Sequence, residues 1–170
     1  MDARIAFAIY SELPNLIAGD QLAAAALKAR GLTVEPALWQ DPMIDWSQYS
    51  AVVIRSCWDY HQRAAEFSAW LAHLQSLQVA LWNPVEVVRW NMDKMYLSDL
   101  AQQGINVLPS VWLPRGAKVH LRELMAEKKW SQVVIKPVIS AAADQTYLIS
   151  LDSAEDHQSV AAGLLQQGGL

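Results

Sequence analysis

Short apolar runs alternate with helix-patterned stretches through the first half of the chain, and this alternation restricts the fold more than any other feature. Residues 4–10 set Ile5, Phe7 and Ile9 against the small Ala6 and Ala8 and read as a strand. Asp20 is placed to cap an alanine-rich helix over 21–30, which Gly31 stops. Residues 33–38 and 51–55 read as further strands, joined by a polar connection around Asp41-Pro42. Over 65–75 the pattern puts Phe67, Trp70, Leu71 and Leu74 on one helical face, and 79–82 is a short strand closed by Asn83-Pro84. Strand, helix and strand in succession predict an α/β domain, an open parallel sheet with helices on its faces.

The second half has another rhythm. Asn91 is placed to cap a helix over 94–103 that ends at Gly104. A strand over 110–113, a turn at Pro114-Arg115-Gly116 and a helix over 121–129 follow. The β-branched run 132–135 reads as a buried strand ending in Lys136-Pro137, and the small-residue loop Val138 to Asp144 leads into a strand over 147–151. Ser153 to Asp156 has the form of a capping box, which predicts a helix to about residue 167 and a turn over 166–170. This is the pattern of a small α+β lobe, with the boundary between 84 and 89.

Composition removes whole classes of function. The 170 residues are 53% hydrophobic, enough for packed cores, and the net charge of −4 argues against a nucleic-acid footprint. The single Cys57 excludes an internal disulfide and a multi-cysteine zinc site. The start of the chain opens into a strand without a charged-then-apolar leader, and no apolar run reaches membrane-span length. The expectation is a cytoplasmic protein with neither membrane nor nucleic-acid partners.

Two stretches carry chemistry. A lysine at the end of a buried strand must turn its ammonium to an anion or to water, so Lys136 with the loop behind it suits a phosphate chain; solvent-snorkelling is the plainer alternative. Arg55-Ser56-Cys57-Trp58-Asp59-Tyr60 follows a strand's carboxyl end, where open α/β sheets bind ligands. Arg55 there suits a carboxylate, with Asp59 or Tyr60 orienting an amine or hydroxyl and Ser56 in the same substrate-facing loop. The competing reading is an Arg55–Asp59 ion pair with Trp58 packed beneath. Cys57 lacks an activating neighbour, and the four histidines are too scattered to suggest a metal site.

Ile54 to Tyr60, Trp82-Asn83-Pro84, Arg89 to Lys94 and Val134-Ile135-Lys136-Pro137, in that order and spacing, resemble the N-terminal part of the ATP-grasp superfamily. The likeness extends in particular to bacterial glutathione synthetase-like and D-cycloserine-forming ligases, and spans nearly the whole chain. It implies a pre-ATP-grasp domain over 1–84 and an ATP-grasp small lobe over 85–170, with the large lobe missing. Lys94 and Lys136 stand where the family's small-lobe lysines meet ATP phosphates, and Ser140 and Thr146 stand in the covering loop. The loop departs from pattern, since Ala141, Ala142 and Ala143 occupy places where glycines are usual, and alanine tolerates positive φ poorly. Magnesium ligands and the catalytic arginine are expected only from the missing lobe, so this chain is assigned neither metal-binding nor catalytic residues.

The resemblance implies ATP and a small carboxylate as partners, in ligation through an acyl phosphate, with the 170 residues inactive by themselves. Two alternatives accompany it. One is a non-catalytic binding module around Arg55. The other is self-association through a small-lobe face left bare. The acid and the nucleophile are not encoded in any motif.

Overall fold

The computed structural model describes residues 3–170, which divide into two compact units, one ending at Asn91 and one beginning at Met92. The first unit is an α/β layer. Its strands β1 (Arg4–Ile9), β2 (Thr33–Leu38), β3 (Ala51–Ser56) and β4 (Ala80–Trp82) form a wholly parallel sheet in the order β2-β1-β3-β4. Parallel neighbours need crossovers, supplied by α1 (Ala18–Lys28) between β1 and β2 and by α2 (Ala64–Ser76) between β3 and β4. Ala6 to Ile9 and Val52 are buried in the sheet. The predicted face of α2 is the one that buries Phe67, Trp70, Leu71 and Leu74. Trp39, Trp46, Phe67 and Trp70 interlock, with the Trp39–Phe67 and Trp46–Trp70 rings edge-on at 5.1 and 5.4 Å. Pro36, which cannot donate to a ladder, lies on the edge strand β2.

The second unit is built on the antiparallel pair β5 (Gln132–Ile135) and β6 (Tyr147–Ser150), with α5 (Leu121–Glu127) and α6 (Gln158–Gln167) enclosing a core of Leu121, Met125, Ile149, Ala161, Leu164 and Leu165. Helices α3 (Val85–Met92) and α4 (Tyr96–Gln102) lie around the junction in sequence.

Several local expectations are corrected. Asp20 does not cap α1: it lies inside the first turn and is buried, with Ile17 at the cap position. Asn91 is not a cap either, because residues 85–92 are helical and α4 begins only at Tyr96. Pro84 starts α3, its carbonyl accepting from Val88 N–H, while Glu86 and Arg89 match the helix dipole at its two ends. No strand forms over 110–113. Pro109 and Pro114 leave only four residues between them, and Leu113 instead exchanges two 2.9 Å backbone bonds with Leu170. That exchange also replaces the turn expected over 166–170. A Cβ at Gly169 would meet the Leu113 carbonyl oxygen at 3.1 Å, a tight contact that glycine avoids. The capping-box serine is used differently too: Ser153 Oγ bonds Ser150, and α6 starts later, after His157.

Candidate functional site

In the first unit the strand order reverses beside β1, with β2 on one side and β3 on the other. The carboxyl ends of β1 and β3 therefore form a topological switch point, the crevice where open α/β sheets hold ligands. Arg55 and Ser56 lie there, at the end of β3. Arg55 Nε donates to Asp20 Oδ1 at 2.7 Å, Nη2 donates to the same oxygen, and Ser56 Oγ reaches Asp20 Oδ2 at 3.4 Å. Asp20 is 1% exposed, whereas the Arg55 side chain is 40% exposed.

The ion pair expected between Arg55 and Asp59 is thus not the one formed. Both Asp59 oxygens face the end of β2, one accepting from Trp39 Nε1 at 2.8 Å and the other from Gln40 Nε2. Asp59 ties the loop after β3 to the loop after β2. Tyr60 packs against Phe67 with ring centroids 5.5 Å apart, and Trp58 is half exposed rather than packed beneath. Cys57 is buried with its thiol against the Ala8 carbonyl, and burial pushes its pKa far up, so it is no nucleophile. A cleft of about 230 Å³ lies near Asp59's partners, lined by Trp39, Gln40, Asp41, Trp46, Trp70 and His73 among others.

In the second unit Lys94 and Lys136 are brought together although 42 residues separate them. Lys94 N–H donates to the Val138 carbonyl at 2.8 Å and its ammonium to the Ser140 carbonyl at 2.6 Å, so the segment after β5 grips Lys94 at two points. Desolvation and then the charge of Lys136 hold the Lys94 pKa below its ordinary value, against a smaller opposing pull from Asp93. Two cations thus lie within electrostatic reach of each other, one of them half-buried against a neutral carbonyl. Ser140 is buried and its hydroxyl donates to the Pro137 carbonyl; its contribution is to hold Lys94. Thr146 Oγ1 donates to the Asp144 carbonyl. Between them Ala142, Ala143 and Gln145 take φ of 52, 59 and 49°, the left-handed backbone for which glycine is the usual residue.

Known proteins resemble the chain across both units. Residues 5–83 match the family model described as the D-cycloserine synthetase DcsG N-terminal domain. Over 146 residues the chain is 33% identical to the cycloserine biosynthesis protein DcsG of Streptomyces lavendulae, covering 84% of this chain and 48% of that one. The crystal structure of D-cycloserine synthetase DcsG superposes with a TM-score of 0.87 at 30% identity, over 98% of this chain and 57% of the other. The chain is related to the N-terminal part of DcsG. A RimK domain ATP-grasp protein from Sphaerobacter thermophilus shares the fold at TM-score 0.69 and 22% identity, over 98% of this chain and 62% of its own. The chain spans about half the length of the curated protein it matches. Its mixed α/β architecture with a parallel sheet is that of its neighbours.

Sequence reasoning missed Asp20 as the counter-ion of Arg55, and Trp39 and Gln40 as the partners of Asp59. An aspartate three residues into a helix gives the same signal as a cap, and only the sheet order reveals that it faces β3.

Proposed function

We propose that the chain supplies the substrate-side and phosphate-holding parts of an ATP-dependent carboxylate–amine (or similar) ligase. The observation that carries this reading is the Lys94–Lys136 pair, fixed on the segment after β5. ATP supplies the phosphoryl group that turns the acid into an acyl phosphate for attack by the amine. The ammonium groups of Lys94 and Lys136 hold the phosphates and offset the charge that spreads over the transferring oxygens. Ser140 positions Lys94, and Thr146 fixes the loop that lies over the phosphates. In the first unit Arg55 takes the acid's carboxylate, Ser56 steadies its counter-ion, and Asp59 and Tyr60 shape the loop wall. Among the described residues no three histidine, cysteine or acidic side chains gather as a cation site.

Lys136→Ala tests the assignment directly. Titration of ATP into the 170-residue chain should show affinity falling by at least about tenfold, the scale of one lost charge-assisted contact. Unchanged affinity would remove the phosphate role and with it the ligase reading.

A second reading, self-association, has an observation in its favour. Val134 and Leu148 face each other across β5 and β6 and are 54% and 68% exposed, an apolar pair on the face of a two-stranded ribbon. A sedimentation profile that stays monomeric at micromolar concentration would count against it.

A further inference from the structure

We propose that Asp20 is the positioning residue of a carboxylate-binding arginine, holding the Nε–Nη2 edge of Arg55 so that the guanidinium's other edge meets the carboxylate of a small monocarboxylic acid at the switch point. The inference rests on the reading of Arg55 as a substrate group and states how that group is held.

The backbone supplies the first observation. β1 and β3 pair regularly from Ile5 opposite Ala51 to Ala8 opposite Ile54, and then Ile9 lies opposite Ser56. Arg55 is the residue left without a partner across the ladder. Such bulges re-aim a side chain and recur beside binding sites; in a parallel pair they are rare. The slip falls at the carboxyl end of the strand, beside the place where the sheet order reverses.

The side chains supply the second. A carboxylate as buried as Asp20 is costly unless paired and hydrogen-bonded, and its partners are Arg55 and Ser56. One guanidinium edge is thereby occupied. The guanidinium also lies over the Phe7 ring at 5.8 Å, which limits rotation of its plane. With the Nε–Nη2 edge occupied by Asp20 and one face over Phe7, the edge that carries Nη1 is the one Asp20 leaves open, on a side chain that is 40% exposed. A planar carboxylate fits that edge, and the arginine pays little ordering entropy when it binds.

Charge narrows the ligand. Asp20 offsets the charge of Arg55, and Arg63, further along the same loop, is paired with Glu66. A single carboxylate can be met by Arg55, whereas a dicarboxylate would bring a second charge into the field of Asp20.

The test is a titration of the 170-residue chain with propionate, using propionamide as the neutral control, followed by NMR at the Arg55 Nε–H proton and at the backbone amides of residues 54–57, which report in Arg55→Ala as well. Propionate should bind and propionamide should not, and Arg55→Ala should abolish binding. Asp20→Asn removes a negative charge, which by Coulomb's law alone would tighten an anion; loss of positioning should instead weaken propionate by about tenfold. Ser56→Ala keeps the Asp20 charge and removes one donor to it, so its affinity should fall between the two, and it decides the matter if Asp20→Asn does not fold. Native or tighter affinity in the Asp20 and Ser56 variants, with binding still lost in Arg55→Ala, would overturn the positioning role and leave the Arg55 reading standing. Unchanged affinity in Arg55→Ala would remove the substrate reading itself, and the Asp20–Arg55 pair would be a structural tie between α1 and β3.

Discussion

At the scale of single residues the second unit stores an unfavourable charge arrangement. The Lys94 ammonium is desolvated and repelled by Lys136, so its pKa lies below the ordinary lysine value of 10.5. A lysine whose folded pKa is depressed costs stability in full below that folded value, and the cost is relieved as pH rises toward 10.5, because there the unfolded chain binds the proton more readily than the folded one. An anion between the lysines reverses this, since it favours the charged form. ATP affinity should therefore be greatest at neutral pH and decline as pH rises through the depressed Lys94 pKa. Lys94→Arg should shift that alkaline limb out of the accessible range, because arginine stays protonated. Isothermal titration across pH checks both, and the same alkaline limb in Lys94→Arg would assign the titration to another group. The loop beside these lysines carries its own strain. At Ala142 and Ala143 the left-handed backbone costs about 1 kcal/mol or more per residue, so replacing either with glycine should stabilise the folded chain by about 1 kcal/mol in urea denaturation. Lys136 stood out in the sequence as a charge at a strand end, which is a local signal, whereas Lys94 and the missing glycines stood out only through the resemblance to a family. The Asp20–Arg55 pair was not legible, since it joins residues 35 apart that only the sheet order brings together.

At the scale of elements, periodicity located what packing required and missed what backbone pairing decided. The face of α2 was readable because Phe67, Trp70, Leu71 and Leu74 recur at helical spacing and have one core to enter. Helix α3 was not, because Val85, Val87 and Val88 look like strand or linker residues and its signals are Pro84 and the end charges. The segment over 110–113 carries strand-like residues, yet its ladder partner is the remote Leu170 rather than a neighbouring strand. A comparable long-range tie governs α5. Gln158, at the start of α6, accepts from Leu121 N–H at 2.9 Å and donates to the Val119 carbonyl at 2.7 Å, so one side chain completes the entry of another helix. Gln158→Ala removes both bonds and leaves two partly buried backbone groups unpaired. The expected loss is about 1–3 kcal/mol, read as a lower urea midpoint with an unchanged slope. A loss below a few tenths of a kcal/mol would mean that water replaces the side chain at no cost.

At the scale of the whole molecule the chain divides its chemistry between two units with separate cores. The first has the aromatic cluster around Trp39 and Trp70, and the second has the apolar cluster around Met125 and Ile149. The groups proposed to hold phosphate, Lys94, Lys136 and Ser140, all lie after Met92, and those proposed to hold or position a carboxylate, Asp20, Arg55 and Ser56, all lie before it. A ligand that binds only the folded form of one unit stabilises the amides whose opening requires that unit to open. Pyrophosphate should accordingly slow hydrogen exchange around residues 93–97 and 136–146, and propionate around residues 7–10, 18–22 and 54–57. Each should leave the other set at its free-chain rate, which peptide-resolved exchange can read in a single preparation. Confinement of each effect means that the two groups act as separable sites in this chain. If pyrophosphate instead slowed both sets by the same factor, the units would open together, and the acid and phosphate sites would be energetically coupled within these 170 residues.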